Sequence, residues 1–166
     1  MNGDAAWGGG MNQGRATMAS EAKLLIPGLA GFYQSMRDIV YTLIRVIMGY
    51  ILFMHGWAKV TGPGLEGVTG YMAKQALEPA MLFASAAIVL ETVGAVCIII
   101  GLFTRFFAAA IAIEMAIACW VVHLPKGFSV AQGGYEYVLL LGIVLFGIAI
   151  RGGGPYSLDR AIGKEL

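Results

Sequence analysis

Five ionisable side chains stand within or at the edge of apolar runs long enough to cross a bilayer, and chemistry is to be sought there first. Arg45, His55 and Lys59 lie along the first run, Glu91 in the second and Glu114 in the third. A charge at bilayer depth costs about 2.5–3.5 kcal/mol on insertion scales, so it is rarely kept without a partner or a task. Residues three and four apart share a helix face. Arg45, Gly49, Leu52, Gly56 and Lys59 therefore fall on one stripe, with His55 at its edge. Glu91 is flanked one turn each way by Ala87 and Ala95, and Glu114 by Ala110 and Ala118. Small residues beside a charge mark a face that packs on protein rather than lipid.

The expectation is a buried polar network of Arg45, Glu91 and Glu114, in which Arg45 contacts one or both carboxylates. Such a network could only fix helix register, or it could exchange protons beside a quinone. A cation or small-solute path is a third use. A second group, His55, Lys59 and Glu136, with His123 nearby, is expected at the far ends of the spans as a candidate quinone or proton site. Histidine can hydrogen-bond a carbonyl and changes charge near neutral pH. No metal site is predicted, because interfacial Lys and His snorkel into headgroups and Glu136 suits a helix N-terminus.

The elements that must position these groups are helices. A spanning helix needs about 20 mostly apolar residues, and four segments qualify, near residues 39–60, 79–101, 104–124 and 135–150. Short connections imply an all-α, antiparallel four-helix transmembrane bundle. The tight link Gly101-Leu102-Phe103 makes a hairpin of the second and third spans. Residues 61–78 and 23–38 read as short amphipathic surface helices, and Leu158 to Leu166 as a short amphipathic end. Residues 1–22 are polar and Gly-rich and read as a disordered tail, so residues 23–166 are one domain. Trp57, Trp120, Tyr50 and Tyr71 suit an interfacial aromatic belt.

Composition agrees. The 166 residues are 58% hydrophobic and 13% charged, about half the charge of a soluble domain. Net charge is +1, and no basic stripe supports nucleic-acid binding. Cys97 and Cys119 form no CxxC pair, and their depths in separate spans argue against a disulfide. Arg15, Lys23, Arg37, Arg105, Arg151, Arg160 and Lys164 fall on one side, and Lys59, Lys74 and Lys126 on the other. That excess places both termini in the cytoplasm of a multi-pass protein.

Arg45 followed by His55-Gly56 and Lys59 resembles the first helix of the DoxX family of small bacterial membrane proteins. Glu91-Thr92-Val93-Gly94, then Gly101-Leu102-Phe103-Thr104-Arg105, is similar to that family's second helix and hairpin. Glu136 opens the last helix, and the stretch from Gly152 to Asp159 is similar to its glycine-rich ending. The resemblance covers roughly residues 38–160. It implies a bacterial inner-membrane protein linked to oxidoreductase systems, whose relatives include a quinone-reducing oxidoreductase subunit and membrane partners of redox enzymes.

The function expected is therefore a membrane component of a quinone-linked redox system. No intrinsic cofactor is predicted beyond a quinone, and electrons would come from other membrane or peripheral redox proteins. A non-catalytic anchor or assembly subunit, as a homo- or hetero-oligomer, is the rival. A small-solute or proton transporter is disfavoured, because Gly- or Pro-broken helices do not recur in the spans.

Overall fold

A computed structural model describes residues 24–166; the expected tail over residues 1–22, and Lys23, lie outside the described residues. The chain divides into two units at Ser35 and Met36. In the first, Pro27–Leu29 forms a turn that leads into the opening of a helix at Ala30. The amphipathic helix expected over residues 23–38 is thus corrected, because its second half belongs to the long helix α1, Ala30–Thr61. Nothing in residues 30–38 breaks a helix, since no proline or β-branched run occurs before Ile39.

The second unit holds the rest. After α1 come α2 (Gly64–Lys74), α3 (Ala80–Ile100) and α4 (Thr104–Lys126), then α5 (Glu136–Arg151) and α6 (Leu158–Ile162). All elements among the described residues are helical. The helix containing α1, together with α3 and α4, is long and apolar enough to cross a membrane. The segment expected as a fourth span forms the helix α5, whose 16 residues fall just short of the usual spanning length of about 17–25.

Met48 and Leu52 of α1, Ala95 and Ile98 of α3, Ile111 and Met115 of α4, and Leu141 and Leu145 of α5 meet in one apolar core. The opposite faces are also apolar. Ile113 is 62% exposed and Phe146 60%, an arrangement suited to lipid and not to water.

Contacts between α1 and α3 establish their direction. A Cβ on Gly49 would lie 2.8 Å from the Ala95 carbonyl oxygen, and one on Gly56 would lie 2.6 Å from that of Glu91. Rising numbers on α1 meet falling numbers on α3, so the two helices are antiparallel. Both glycines sit where backbones touch, as the small-residue stripe requires.

Candidate functional site

Arg45 is almost fully buried, yet it pairs with neither glutamate. Its guanidinium donates to the carbonyls of Ile98 at 2.5 Å and Ile99 at 2.8 Å, and to that of Tyr156 at 2.6 Å. The expected contact with Glu91 or Glu114 is therefore corrected. The reason lies in side-chain direction, because a helical side chain leans toward the N-terminus of its own helix. Arg45 leans away from Glu91 and toward the last turn of α3. There it donates to carbonyls of the helix end, of which Ile98 O also accepts from Gly101 N at 3.2 Å, and its charge meets the negative end of the helix dipole.

This end of the molecule is a set of helix caps. Gly101 ends α3 in the left-handed conformation, with φ of 72°. Phe103 also has positive φ, at 48°, a conformation that costs a non-glycine residue about 1–3 kcal/mol unless its surroundings hold it. Asp159 holds it. The fully buried carboxylate accepts from Phe103 N at 2.7 Å and Thr104 N at 2.9 Å, which caps the N-terminus of α4. Asp159 N donates to Gly101 O at 2.8 Å. Arg105 donates to the Ala149, Ile150 and Arg151 carbonyls at the end of α5, and to Glu165 at 2.7 Å. The Tyr41 hydroxyl donates to Gly152 O. The hairpin and the glycine-rich ending are thus one structural lock.

Chemistry is left to the other end. Lys59 donates to Glu91, forming an ion pair. On antiparallel helices the two side chains lean toward each other, and this reverses the expected partnership. Glu91 is only 6% exposed, whereas Lys59 retains 29%. Glu114 lies within the fields of both, and its Oε2 is buried with no hydrogen-bond partner among the described residues.

These groups line a cavity of about 380 Å³ together with His55, His123, Tyr71 and Tyr137. Most of the wall is apolar, including Leu52, Phe83, Leu90, Ile117 and Leu141. His55 stands beside Tyr137, with ring centroids 6.2 Å apart. His123 is oriented by Gly133 O, 2.7 Å from Nδ1. Two of the five helices carrying these groups contain a π turn, at Leu90–Gly94 in α3 and at Cys119–His123 in α4. Such widened turns are frequent at functional sites. The spans are therefore locally irregular without recurrent Gly or Pro breaks.

Of the three residues expected as a quinone or proton site, the cavity contains His55 and Lys59. Glu136 is corrected: it is exposed and does not line the cavity, and its Oε2 accepts from Val130 N at 3.1 Å, so it fixes the turn whose Val130, Gly133 and Gly134 form part of the wall. The cavity also contains two tyrosines that sequence reasoning misses as site residues. Tyr71 lies on the apolar face of α2, which is the available signal, although that face suggests only an interfacial belt. Tyr137 offers no signal beyond following Glu136.

Comparison with known proteins gives a consistent picture. The family model described as DoxX matches residues 40–124. An uncharacterized protein of Haemophilus influenzae is 31% identical over 138 residues, covering 78% of this chain and 95% of its own. The Bacillus subtilis protein named "Putative oxidoreductase CatD" is 32% identical over 127 residues, or 76% of this chain and 90% of its own. The inner membrane protein YqjF of Escherichia coli is 26% identical over 136 residues, or 80% and 98%. No solved structure matches.

Proposed function

This chain belongs to the DoxX family, and on that premise we propose that it is a four-spanning inner-membrane component of a redox system, with a cavity that receives a quinone head. Support comes from the joining of a largely apolar cavity to a small set of convergent ionisable groups, Lys59, Glu91, Glu114 and His55. That is the usual composition of a small-molecule site. The apolar wall suits a hydrophobic ring and its tail. The Lys59 ammonium and a His55 N–H can donate to ring carbonyls, and the Glu91 and Glu114 carboxyls can hold and release the accompanying protons. A bound quinone would supply the electron-accepting chemistry, with electrons delivered by a partner redox protein. The name of the B. subtilis relative and the inner-membrane relative from E. coli agree with this assignment.

In this arrangement α5 is the fourth crossing. Sixteen residues rise about 24 Å, a length that modest bilayer thinning accommodates. Both termini then face the cytoplasm, on the side richer in Lys and Arg. A periplasm-only reporter fused after Leu166 should be silent.

The site is tested by purifying the chain from native membrane, extracting it with organic solvent and measuring quinone absorbance. A quinone analogue is then titrated into the stripped protein. Wild type should bind it saturably, and His55→Ala, which removes a donor to a ring carbonyl, should weaken binding by about three- to tenfold. Absence of both extractable quinone and a saturable analogue signal would refute the proposal.

A further inference from the structure

At the hairpin end, away from the cavity, an open pocket of about 300 Å³ lies between Arg151, Pro155, Arg160 and Lys164, with Asp159 and Glu165 at its edge. Its basic groups are freer to meet a ligand than its acidic ones. Both oxygens of Asp159 are committed to Phe103 N and Thr104 N. Glu165 is bound by Arg105 at 2.7 Å. Arg151 is held over the Tyr41 ring at 4.0 Å and near Asp38 at 3.5 Å, which fixes its position but leaves it 43% exposed. Arg160 and Lys164 have no side-chain partner among the described residues. Two unpaired cations, with the Asp38-paired Arg151 beside them, thus border one opening whose carboxylates are hydrogen-bonded elsewhere.

The rim has a second property. Ile150, Leu158, Ile162 and Leu166, close to these cations in sequence, are all exposed, Ile150 and Leu166 at 66% each. A basic pocket in a segment that also exposes aliphatic side chains, at the end of membrane helices, matches a phosphate joined to acyl chains better than a free ion. We propose that this pocket binds the phosphodiester of an anionic phospholipid, with Arg151, Arg160 and Lys164 on the phosphate and Ile162 and Leu158 on the acyl chains. The inference rests on the membrane placement of the helices and is independent of any quinone at the opposite end.

Native mass spectrometry of the full chain, with phosphatidylglycerol and phosphatidylcholine supplied equally, tests it. Phosphatidylglycerol adducts should predominate in the wild type. Each basic residue near a lipid surface favours an anionic lipid by about fivefold, so Arg160→Ala with Lys164→Ala should reduce the preference by roughly 25-fold. The charge-preserving pair Arg160→Lys with Lys164→Arg should retain most of it, which separates lost charge from lost fold. Lys74→Ala, remote from the pocket, should change nothing. Equal adducts of both lipids in the wild type would overturn the proposal. So would displacement of phosphatidylglycerol by millimolar inorganic phosphate, which would mark a free-anion site.

Discussion

Lys59 meets Glu91 because their side chains lean toward each other across antiparallel α1 and α3. The pair is unequally buried, at 29% and 6% side-chain exposure, and this asymmetry fixes which half depends on the other. Lys59→Met would strand the carboxylate of Glu91, whereas Glu91→Gln leaves an ammonium that can swing toward the headgroups. Lys59→Met should therefore lower stability more, by about 3 kcal/mol against about 1 kcal/mol for Glu91→Gln. The combined Lys59→Met, Glu91→Leu variant should recover much of the loss. Thermal unfolding in detergent measures the order; equal losses in both single variants would refute the asymmetry.

Gly56 keeps that pair in reach. A Cβ there would lie 2.6 Å from both the carbonyl carbon and oxygen of Glu91, and backbone cannot step aside as a flexible side chain can. Gly56→Ala should cost about 1–3 kcal/mol, the range for overpacking, and should also weaken binding of a quinone analogue. Gly49→Ala should cost a similar amount without affecting that binding, because it meets Ala95 and Ile99. Gly147, where an added methyl would have nothing within 4 Å, is the control. Gly147→Ala should stabilise by about 0.5–1 kcal/mol, the helix advantage of alanine. Paired melting and binding measurements distinguish the three.

Arg45 and Asp159 make the opposite prediction, a loss of stability with no loss of chemistry. Asp159→Ala leaves the part-buried N–H of Phe103 and the buried N–H of Thr104 without acceptors and should cost about 2–4 kcal/mol. Arg45→Met uncovers the Ile98, Ile99 and Tyr156 carbonyls and should act in the same direction. In whatever fraction stays folded, affinity for a quinone analogue should match wild type. A selective affinity loss in either variant would place these residues in the site after all.

The helices are legible in the sequence and the partnerships only partly so. Apolar runs over residues 79–101 and 104–124 locate α3 and α4 to within a few residues, and the stripe of Gly49 and Gly56 marks the α1–α3 contact. The depth of Arg45, Glu91 and Glu114 can also be counted along each helix. What counting residues omits is the direction in which a long side chain leans, and about 5 Å of lean each way exchanges one cation for another at Glu91. Asp159 is hidden for a different reason. Its role depends on a chain reversal through Gly152, Gly153 and Gly154 that brings it to Phe103, and no local periodicity encodes such a return. The π turn at Glu91 leaves no trace, since its sequence reads as ordinary helix.

The cavity itself can be closed without touching a charge. Ala86 and Ala118 both line it, Ala86 is exposed and Ala118 only partly buried, so each has room for a larger side chain on the cavity side. Ala86→Phe or Ala118→Leu should fill part of the 380 Å³ while leaving Lys59 bound to Glu91. Melting temperature should stay near wild type, because no core contact is lost and only cavity space is taken. Affinity for a quinone analogue should fall by about tenfold or more, since an occupied pocket cannot also hold a ring. Unchanged affinity in both variants, with the fold intact, would mean that the ligand binds elsewhere and that the Lys59, Glu91 and Glu114 cluster serves packing alone.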